Sequence, residues 1–498
     1  MSNNKEVKMK NLILYGLGDL YGGGAFLVLG TLYLIFLTDV VGLNPAKAGL
    51  VLVVGKAWDA ISDPLMGYIS DHTSSKFGRR RIYFLLAIAP IALSFILLWF
   101  PIGFNSQNYL FLYYMFAYMF FSTVFTMVMV PYTALNAEMS EDYKTRTKLS
   151  TSRMLFSQIS ALLSGVIPKI IVNYFSSNFT GLFGISGEKF GYMIMGVIFG
   201  IFYALPWIFV FWGTWELPNI SKTTKESLKE KIMTFKSIFY NKSFRIHLYM
   251  YICAYVAMDF LMALFVYFLN YYLQLPDLFS YCMLAILLSQ IIMLPVYMKI
   301  SNKYGKSRAY IIGLSIWCLT MLSILFVNPG ATSLLVIVIC IFIGTGLSAG
   351  VMVPWAILPS ITDVDEVITM EKRTGVYSGL MTLVRKMAQA VALWSIGYLL
   401  SLIGYVPNQA QTADTLLQLK LIFVFIPVIL IILGIIAAFK FKITPKKHNI
   451  LINEIKRLRQ GGKRVNVDPT VRNICEELAG NSYFAKNNNR ANNNKSND

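Results

Sequence analysis

Gly55-Lys-Ala-Trp-Asp-Ala-Ile-Ser-Asp-Pro64 places three charges, Lys56, Asp59 and Asp63, inside an otherwise apolar stretch near residues 46–71. If that stretch crosses a bilayer, Asp59 falls near its middle. An isolated carboxylate at that depth costs about 3 kcal/mol or more, so it must be paired, protonated or bound to a cation. The spacing puts Asp59 and Asp63 on one helical face, with Lys56 one turn before Asp59 on the same side. Two neighbouring acids repel when both are ionised, which raises their affinity for a proton or small cation. The arrangement reads as a coupling site in a transporter.

The rest of the chain supports a membrane setting. Its 498 residues are 56% hydrophobic and only 14% charged, with a mean hydropathy of +0.58. Apolar runs long enough to cross about 30 Å of hydrocarbon recur along it. Twelve are expected, near 12–37, 46–71, 82–101, 108–135, 150–174, 191–213, 246–273, 279–298, 309–327, 332–358, 376–404 and 415–439. The first is too long for a signal-peptide core and lacks a small-residue cleavage site after it, so it reads as a span.

A formal charge of +19 would point to nucleic acid in a soluble protein. Here the cations gather in alternate connections: Arg79-Arg80-Arg81, Lys144 to Lys148, Lys222 to Lys242, Lys303 to Arg308, Lys372-Arg373 and the tail after Lys440. The intervening connections hold almost none. By the positive-inside rule both termini are cytoplasmic, and an even number of spans agrees. No nucleic-acid partner is expected, and the chain is expected in the cell membrane. Of five cysteines, four lie inside spans and Cys475 in the tail, so no disulfide framework follows. His72, His247 and His448 are too dispersed for a metal cluster.

The chain also repeats itself. Pro64-Leu-Met-Gly-Tyr-Ile-Ser-Asp71 and Ser75-Lys-Phe-Gly-Arg-Arg-Arg81 are echoed by Pro295-Val-Tyr-Met-Lys-Ile-Ser301 and Asn302-Lys-Tyr-Gly-Lys-Ser-Arg308. Pro131-Tyr-Thr-Ala-Leu135, leading to Arg146, is echoed by Pro354-Trp-Ala-Ile-Leu358, leading through Asp363, Asp365 and Glu366 to Arg373. Paired halves of this kind mark a rocking transporter with its site at their interface. The expected organisation is an N-terminal six-helix half over 1–213, a linker over 214–245, a C-terminal six-helix half over 246–441 and a cytoplasmic tail over 442–498. Glycines 78 and 305 allow tight turns, and cations beside them can meet Asp71 or helix C-termini. Asp71, Arg79, Arg146, Asp363 and Arg373 are therefore candidate gating residues, unless these charges only set topology.

Trp58-Asp59-Ala-Ile-Ser-Asp63-Pro64, with Gly67 and Asp71, resembles the second-helix signature of the glycoside–pentoside–hexuronide cation symporters. This melibiose-permease-like family belongs to the major facilitator superfamily. Thr38-Asp-Val-Val-Gly-Leu43, Pro131-Tyr-Thr-Ala-Leu135 with Arg146 and Arg153, and Pro354-Trp-Ala-Ile-Leu-Pro359 with Arg373 and Lys386 extend the resemblance, as does the tail from Ile455 to Tyr483. It implies an all-α membrane protein of twelve transmembrane helices in the major facilitator fold. It implies that Asp59 and Asp63 bind the coupling cation, with Thr126 as an oxygen ligand, Lys386 close by, and Arg153 near the substrate. The first-helix Lys-Asp pair of melibiose permease appears here as Gly22-Gly23, its fourth-helix Asp as Met129 and the neighbouring Trp as Thr133. An Asp common early in the tenth-to-eleventh loop appears as Ser360. The transport machinery carries over; the galactoside pocket does not.

Asp19, Tyr21, Trp58, Thr133, Arg153 and Lys386 make up the substrate-side set. Asp19 can accept hydrogen bonds from sugar hydroxyls, with Gly22-Gly-Gly24 letting a ligand approach, or form an ion pair with Arg153 or Lys386. Tyr21 and Trp58 can stack on a sugar ring or simply pack. Arg153 can hold a uronate carboxylate or balance Asp19. Adjacent helical residues point about 100° apart, so Lys386 rather than Arg385 is expected to face the acids. Asp259 is an intramembrane acid without an assigned partner. Lys169 and Glu138 are expected to snorkel, and His448 to Arg459 to lie on a membrane or partner. The expected protein is not an enzyme and carries no cofactor. It moves a small sugar with Na⁺ or H⁺, or alternatively a lysolipid or other amphiphile.

Overall fold

The computed structural model describes residues 7–140, 142–179, 184–216, 237–371, 373–480 and 482–483. Much of the basic linker, Lys372 and the Asn-rich end lie outside the described residues. Helix α1 runs from 9 to 40, with Met9–Gly16 and Asp19–Val28 followed by π-helical turns at Leu29–Tyr33 and Phe36–Val40. There follow α2 (Pro45–His72), α3 (Ile82–Leu86 and Ile88–Trp99), α4 (Gln107–Met139), α5 (Tyr143–Asn178) and α6 (Gly187–Ala204 and Pro206–Gly213). The second set is α7 (Lys242–Tyr267, ending in a π turn at Phe268–Tyr272), α8 (Phe279–Tyr304), α9 (Lys306–Ser323), α10 (Ser333–Thr369), α11 (Thr374–Leu402) and α12 (Ala413–Lys440). Two tail helices follow, α13 (Pro445–Arg459) and α14 (Pro469–Ala479).

Local chemistry starts these helices where the sequence allows. The Asn44 side chain caps Ala46 N–H ahead of Pro45, and Asn241 caps Phe244 N–H. Among the described residues nine helices are long and apolar enough to cross a membrane. Helices α2, α3 and α11 fall short of that measure and complete the two sets of six. Pro131 and Pro354 do not end their helices, which continue to Met139 and Thr369. Asp363, Asp365 and Glu366 therefore stand on the last turns of α10 rather than in a loop.

The repeat is visible in the packing. Contacts α1–α5, α2–α4 and α3–α6 recur as α7–α11, α8–α10 and α9–α12. Gly78 and Gly305 both turn at positive φ, +101° and +97°, a conformation that favours glycine. The buried apolar residues of both halves form one continuous core; within the first half, Tyr33, Phe36, Trp99, Tyr114 and Tyr192 form an aromatic cluster. The halves meet through α2–α11, α5–α8 and α1–α7.

Those meetings are one-sided. Away from the basic loops, Asp39 at the end of α1 accepts from Tyr271 and Tyr405 of the second half, and Thr38 pairs with Tyr267 at 2.8 Å. Asn408 donates to the Asp39 carbonyl, Asn173 reaches Asp277 at 3.1 Å, and Ser280 donates to the Val166 carbonyl at 3.0 Å. At the basic face, the bonds of Arg79 and Arg80 to Glu138 and Asp71, of Arg146 to Ser140, of Arg373 to Asp365 and of His448 to Asp363 each stay within one half. The polar ties described between the halves thus cluster at the face away from the basic loops.

Candidate functional site between the two halves

Small residues set the depth of the central site. An added Cβ at Gly397 would lie 2.5 Å from the Pro45 carbonyl oxygen and 2.9 Å from Gly49 Cα, so α2 and α11 touch backbone to backbone there. Asp59 lies ten residues further along α2, and Lys386 eleven residues back along α11. In antiparallel helices these steps end level, and the Lys386 ammonium sits 2.9 Å from Asp59 Oδ2 and against Asp63 Oδ2. Thr126 Oγ1 on α4 is 2.8 Å from Asp63 Oδ1 and 3.2 Å from Asp59 Oδ1, and Ser62 Oγ donates to Thr126 at 3.2 Å.

The two acids differ in access. The Asp59 side chain is 0% exposed and that of Asp63 33%. A buried charge is tolerated only with a partner, and Lys386 supplies one charge for two carboxylates. Two carboxylates and two hydroxyls make a hard, all-oxygen donor set, suited to a small cation or proton rather than a soft metal. Among the described residues no group of three or more His, Cys, Asp or Glu is placed to hold a metal ion. Lys56 is buried, but its ammonium lies 3.3 Å from the ring centre of Phe26 on α1, a cation–π contact.

The substrate-side set is only partly assembled. Asp19 and Arg153 form an ion pair at 3.0 and 3.4 Å, and the guanidinium lies over the Tyr132 ring. Tyr15 and Tyr132 donate to each other's carbonyls and hold that corner. Asp19 thus has Arg153, not Lys386, as its partner. Tyr21 is fully buried and packs among Phe121, Phe125 and Tyr203. Glycines 22 and 24 are filled spaces, against Met129 and against Ser160, Ser164 and Tyr203. Gly23 packs on the Ser157 backbone and also reaches the cavity described next. The Trp58 indole N–H donates to Thr123, and Thr133 donates to the Val130 carbonyl.

Asp259 acquires a partner that its sequence position concealed. Arg385 bonds it at 2.7 and 2.8 Å, and Gln389 at 3.1 Å. Adjacent residues of α11 therefore serve two helices, Lys386 reaching α2 and Arg385 reaching α7. Asp259, Arg385 and Gln389 line a cavity of about 260 Å³ between the halves, with Phe26, Met258 and Leu393.

The candidate gating residues are engaged within their own halves. Arg80 pairs with Asp71 at 2.6 Å, while Arg79 and Arg80 share Glu138 at 2.5 and 2.7 Å. Glu138 is thus a half-buried anchor instead of a snorkelling side chain. Glu216 accepts from the backbone N–H groups of Arg79, Arg80 and Arg81 at 2.9–3.0 Å, gathering the turn after Gly78. Lys169 is buried beside Glu188. Arg146 donates to the Ser140 carbonyl, Arg373 forks onto Asp365 at 2.5 and 2.8 Å, and Asp363 meets His448 of the tail at 2.9 Å. The outer contact around Asp39 escaped the sequence reading; its only signal was an acid inside Thr38-Asp-Val-Val-Gly-Leu43.

The chain matches the family described as MFS/sugar transport protein over residues 14–445. It is 28% identical to a putative sulfoquinovose importer of Salmonella typhimurium, over 93% of this chain and 97% of that protein. It is 29% identical to the uncharacterized symporter YjmB of Bacillus subtilis, covering 91% and 97% of the two chains. A sodium-dependent lysophosphatidylcholine symporter of Danio rerio is 24% identical, over 86% and 85%. The crystal structure of the nucleoside transporter NupG superposes with a TM-score of 0.60 at 12% identity, over 88% of this chain and 100% of that one. A D-xylose–proton symporter also superposes with a TM-score of 0.60, at 15% identity, over 88% and 98%. These two likenesses are of fold.

Proposed function

Because the chain belongs to the family of MFS/sugar transport proteins, we propose that it is a secondary symporter that couples Na⁺ or H⁺ to uptake of a small glycoside, pentoside or hexuronide by alternating access. The observation that carries this reading is the bridge from Lys386 on α11 to Asp59 and Asp63 on α2, completed by Thr126. Among the described residues it is the one place where intramembrane charges join the halves at mid-depth. A cation arriving at Asp63, the more exposed acid, competes with the ammonium for the same oxygens. Its binding releases Lys386, removes a tie between the halves and frees a positive charge beside the cavity. Only the empty and doubly loaded forms then rock readily. On this reading the part-exposed Asp63 is reached from the basic face, the cytoplasmic one by the positive-inside rule, in an inward-facing conformation.

On this reading 1–213 and 246–441 are the two rocking halves. Asp71, Arg79, Arg146, Asp363 and Arg373 exchange partners when the basic face closes. Asp19 on α1, Trp58 on α2, Thr133 on α4 and Arg153 on α5 serve the substrate. A second reading, transport of a lysolipid or other amphiphile, has support in the apolar part of the cavity wall, Phe26, Leu27, Met258, Met262 and Leu393.

Thermal stability of the purified protein, measured with pentosides, disaccharides, uronides and lysophosphatidylcholine in Na⁺ or choline at two pH values, separates the two. Ligands stabilise the state they bind. A sugar-specific rise that grows with Na⁺ or acid, and disappears in Asp63→Asn, is the expected result. A response to lysophosphatidylcholine with none to any sugar would replace the sugar reading with the second one. Cation-dependent accumulation that survives both Asp59→Asn and Asp63→Asn would remove the proposed coupling site.

A further inference from the structure

A groove of about 880 Å³ lies far from the central cavity, where the start of α7 meets the end of α12. Its polar end carries Lys242 and Arg245 from α7, Lys440 from the last turn of α12, and Lys442 just beyond it. Lys442 is bound to Glu477 of α14 at 2.7 Å. Lys242, Arg245 and Lys440 are exposed, and among the described residues no carboxylate stands within ion-pair distance of any of them. A fold that places Glu477 beside the groove yet leaves three cations uncompensated keeps a positive potential there.

The apolar wall runs the other way. Tyr249 lies two turns into α7, and Phe439, Ile436 and Leu433 lie successively deeper along α12; Tyr249, Ile436 and Phe439 are 47%, 46% and 71% exposed. Cations at the helix ends and apolar side chains one to two turns inward reproduce the polarity gradient of a phospholipid at a bilayer surface. A soluble anion would use the first feature and have no need of the second. We propose that this groove is a binding site for an anionic phospholipid, whose phosphate is held by Arg245, Lys242 and Lys440 and whose acyl chain lies along Tyr249, Ile436 and Leu433. Arg245 offers the phosphate a planar, bidentate fork, and the lysines add compact charge.

The site is tested on the full chain in detergent by titrating phosphatidylglycerol, phosphatidylcholine and inorganic phosphate, with lipid retention read by native mass spectrometry and stability by melting temperature. Phosphatidylglycerol is expected to bind at least tenfold more tightly than phosphatidylcholine, and more weakly as salt rises. The triple variant Lys242→Gln, Arg245→Gln, Lys440→Gln should lose that preference while keeping the lipid-free melting temperature of the parent. Arg245→Lys should retain most of it. Should the triple variant fold poorly, the single variant Arg245→Gln carries the comparison, with an expected loss of at least threefold. Equal binding of both lipids, an unchanged preference in the variants, or displacement of phosphatidylglycerol by millimolar phosphate would each overturn the assignment.

Discussion

In the proposed cycle the Lys386 ammonium and the coupling cation compete for four carboxylate oxygens, which gives single substitutions opposite signs in different media. Lys386→Gln leaves Asp59 fully buried without its ion-pair partner, and breaking a buried pair in this way costs about 3–5 kcal/mol. The variant should therefore melt several degrees lower than the parent in choline, and Na⁺ should raise its melting temperature more than it raises the parent's. A Na⁺ response no larger than the parent's would mean that cation and ammonium do not share the site. Thr126→Val removes a hydroxyl that bonds both acids; a hydrogen bond to a charged group contributes about 1.5–3 kcal/mol, so cation affinity measured by titration should fall about tenfold or more. Asp59 and Asp63 were legible in the sequence because a charged i, i+4 pair stands out in an apolar span. Asp39 was not: it sits near a span end, where an acid is commonplace, and Tyr271 and Tyr405 that meet it are 2 of 29 tyrosines in the chain. Asp259 was visible as an oddity, but its pairing with Arg385 depends on how α7 and α11 are rotated, which no local pattern encodes.

Single helices carry two devices whose failure is measurable. The first is the close approach of α2 and α11 near the outer face. Gly397→Val places side-chain atoms where even a Cβ comes within 2.5 Å of the Pro45 carbonyl, so the two helices must separate there. Opening of the outer face should follow: a cysteine placed at Leu43, which is fully buried, should react severalfold faster with an impermeant maleimide from that side. Unchanged labelling together with normal transport would argue against α2–α11 closure as the outer gate. The second device is the tail. The stretch His448 to Arg459, expected on a membrane or partner surface, forms α13 and docks on its own chain: His448 meets Asp363, Arg459 meets Glu366, and Arg464 beyond it donates to the carbonyls of Val367 and Ile368. Bonds from Lys442 and Lys447 hold the Glu477 carboxyl below its ordinary range. A depressed folded-state value stabilises docking above the ordinary glutamate range, and that contribution is lost as pH falls through the depressed value. Limited proteolysis should find the tail protected at neutral pH and increasingly cleaved below about pH 4, in the ordinary range of glutamate; Glu477→Gln should abolish that part of the pH dependence. The span pattern disclosed α10 but not its length, because the charged turns past Pro359 look like a loop until the tail helices that neutralise them are in place.

At the scale of the whole molecule the charges around the centre of the bundle balance, apart from Asp39, Lys169 and Lys420, which are buried elsewhere in the spans. Lys56, Arg153, Arg385 and Lys386 stand against Asp19, Asp59, Asp63 and Asp259, four formal positive charges against four negative. Legible duplication predicted two halves; it did not predict this balance, which arises only when side chains from both halves meet across the cavity. In the proposed cycle, one cation entering the site leaves the centre with one net positive charge, and a neutral sugar does not change that. Each loaded passage then moves one charge through the membrane potential. At about 100 mV that is worth about 2.3 kcal/mol, or about fifty-fold accumulation. Proteoliposomes with a potassium-valinomycin potential and equal cation on both sides should therefore concentrate a neutral substrate by a factor that rises about fifty-fold per 100 mV. A uronide carries its own negative charge and restores neutrality, so its accumulation under the same conditions should not respond to voltage. If a neutral sugar is accumulated without voltage dependence, either more than one interior group changes charge during the cycle or the cation does not travel with the sugar, and the balance drawn from these eight residues is not the one that governs transport.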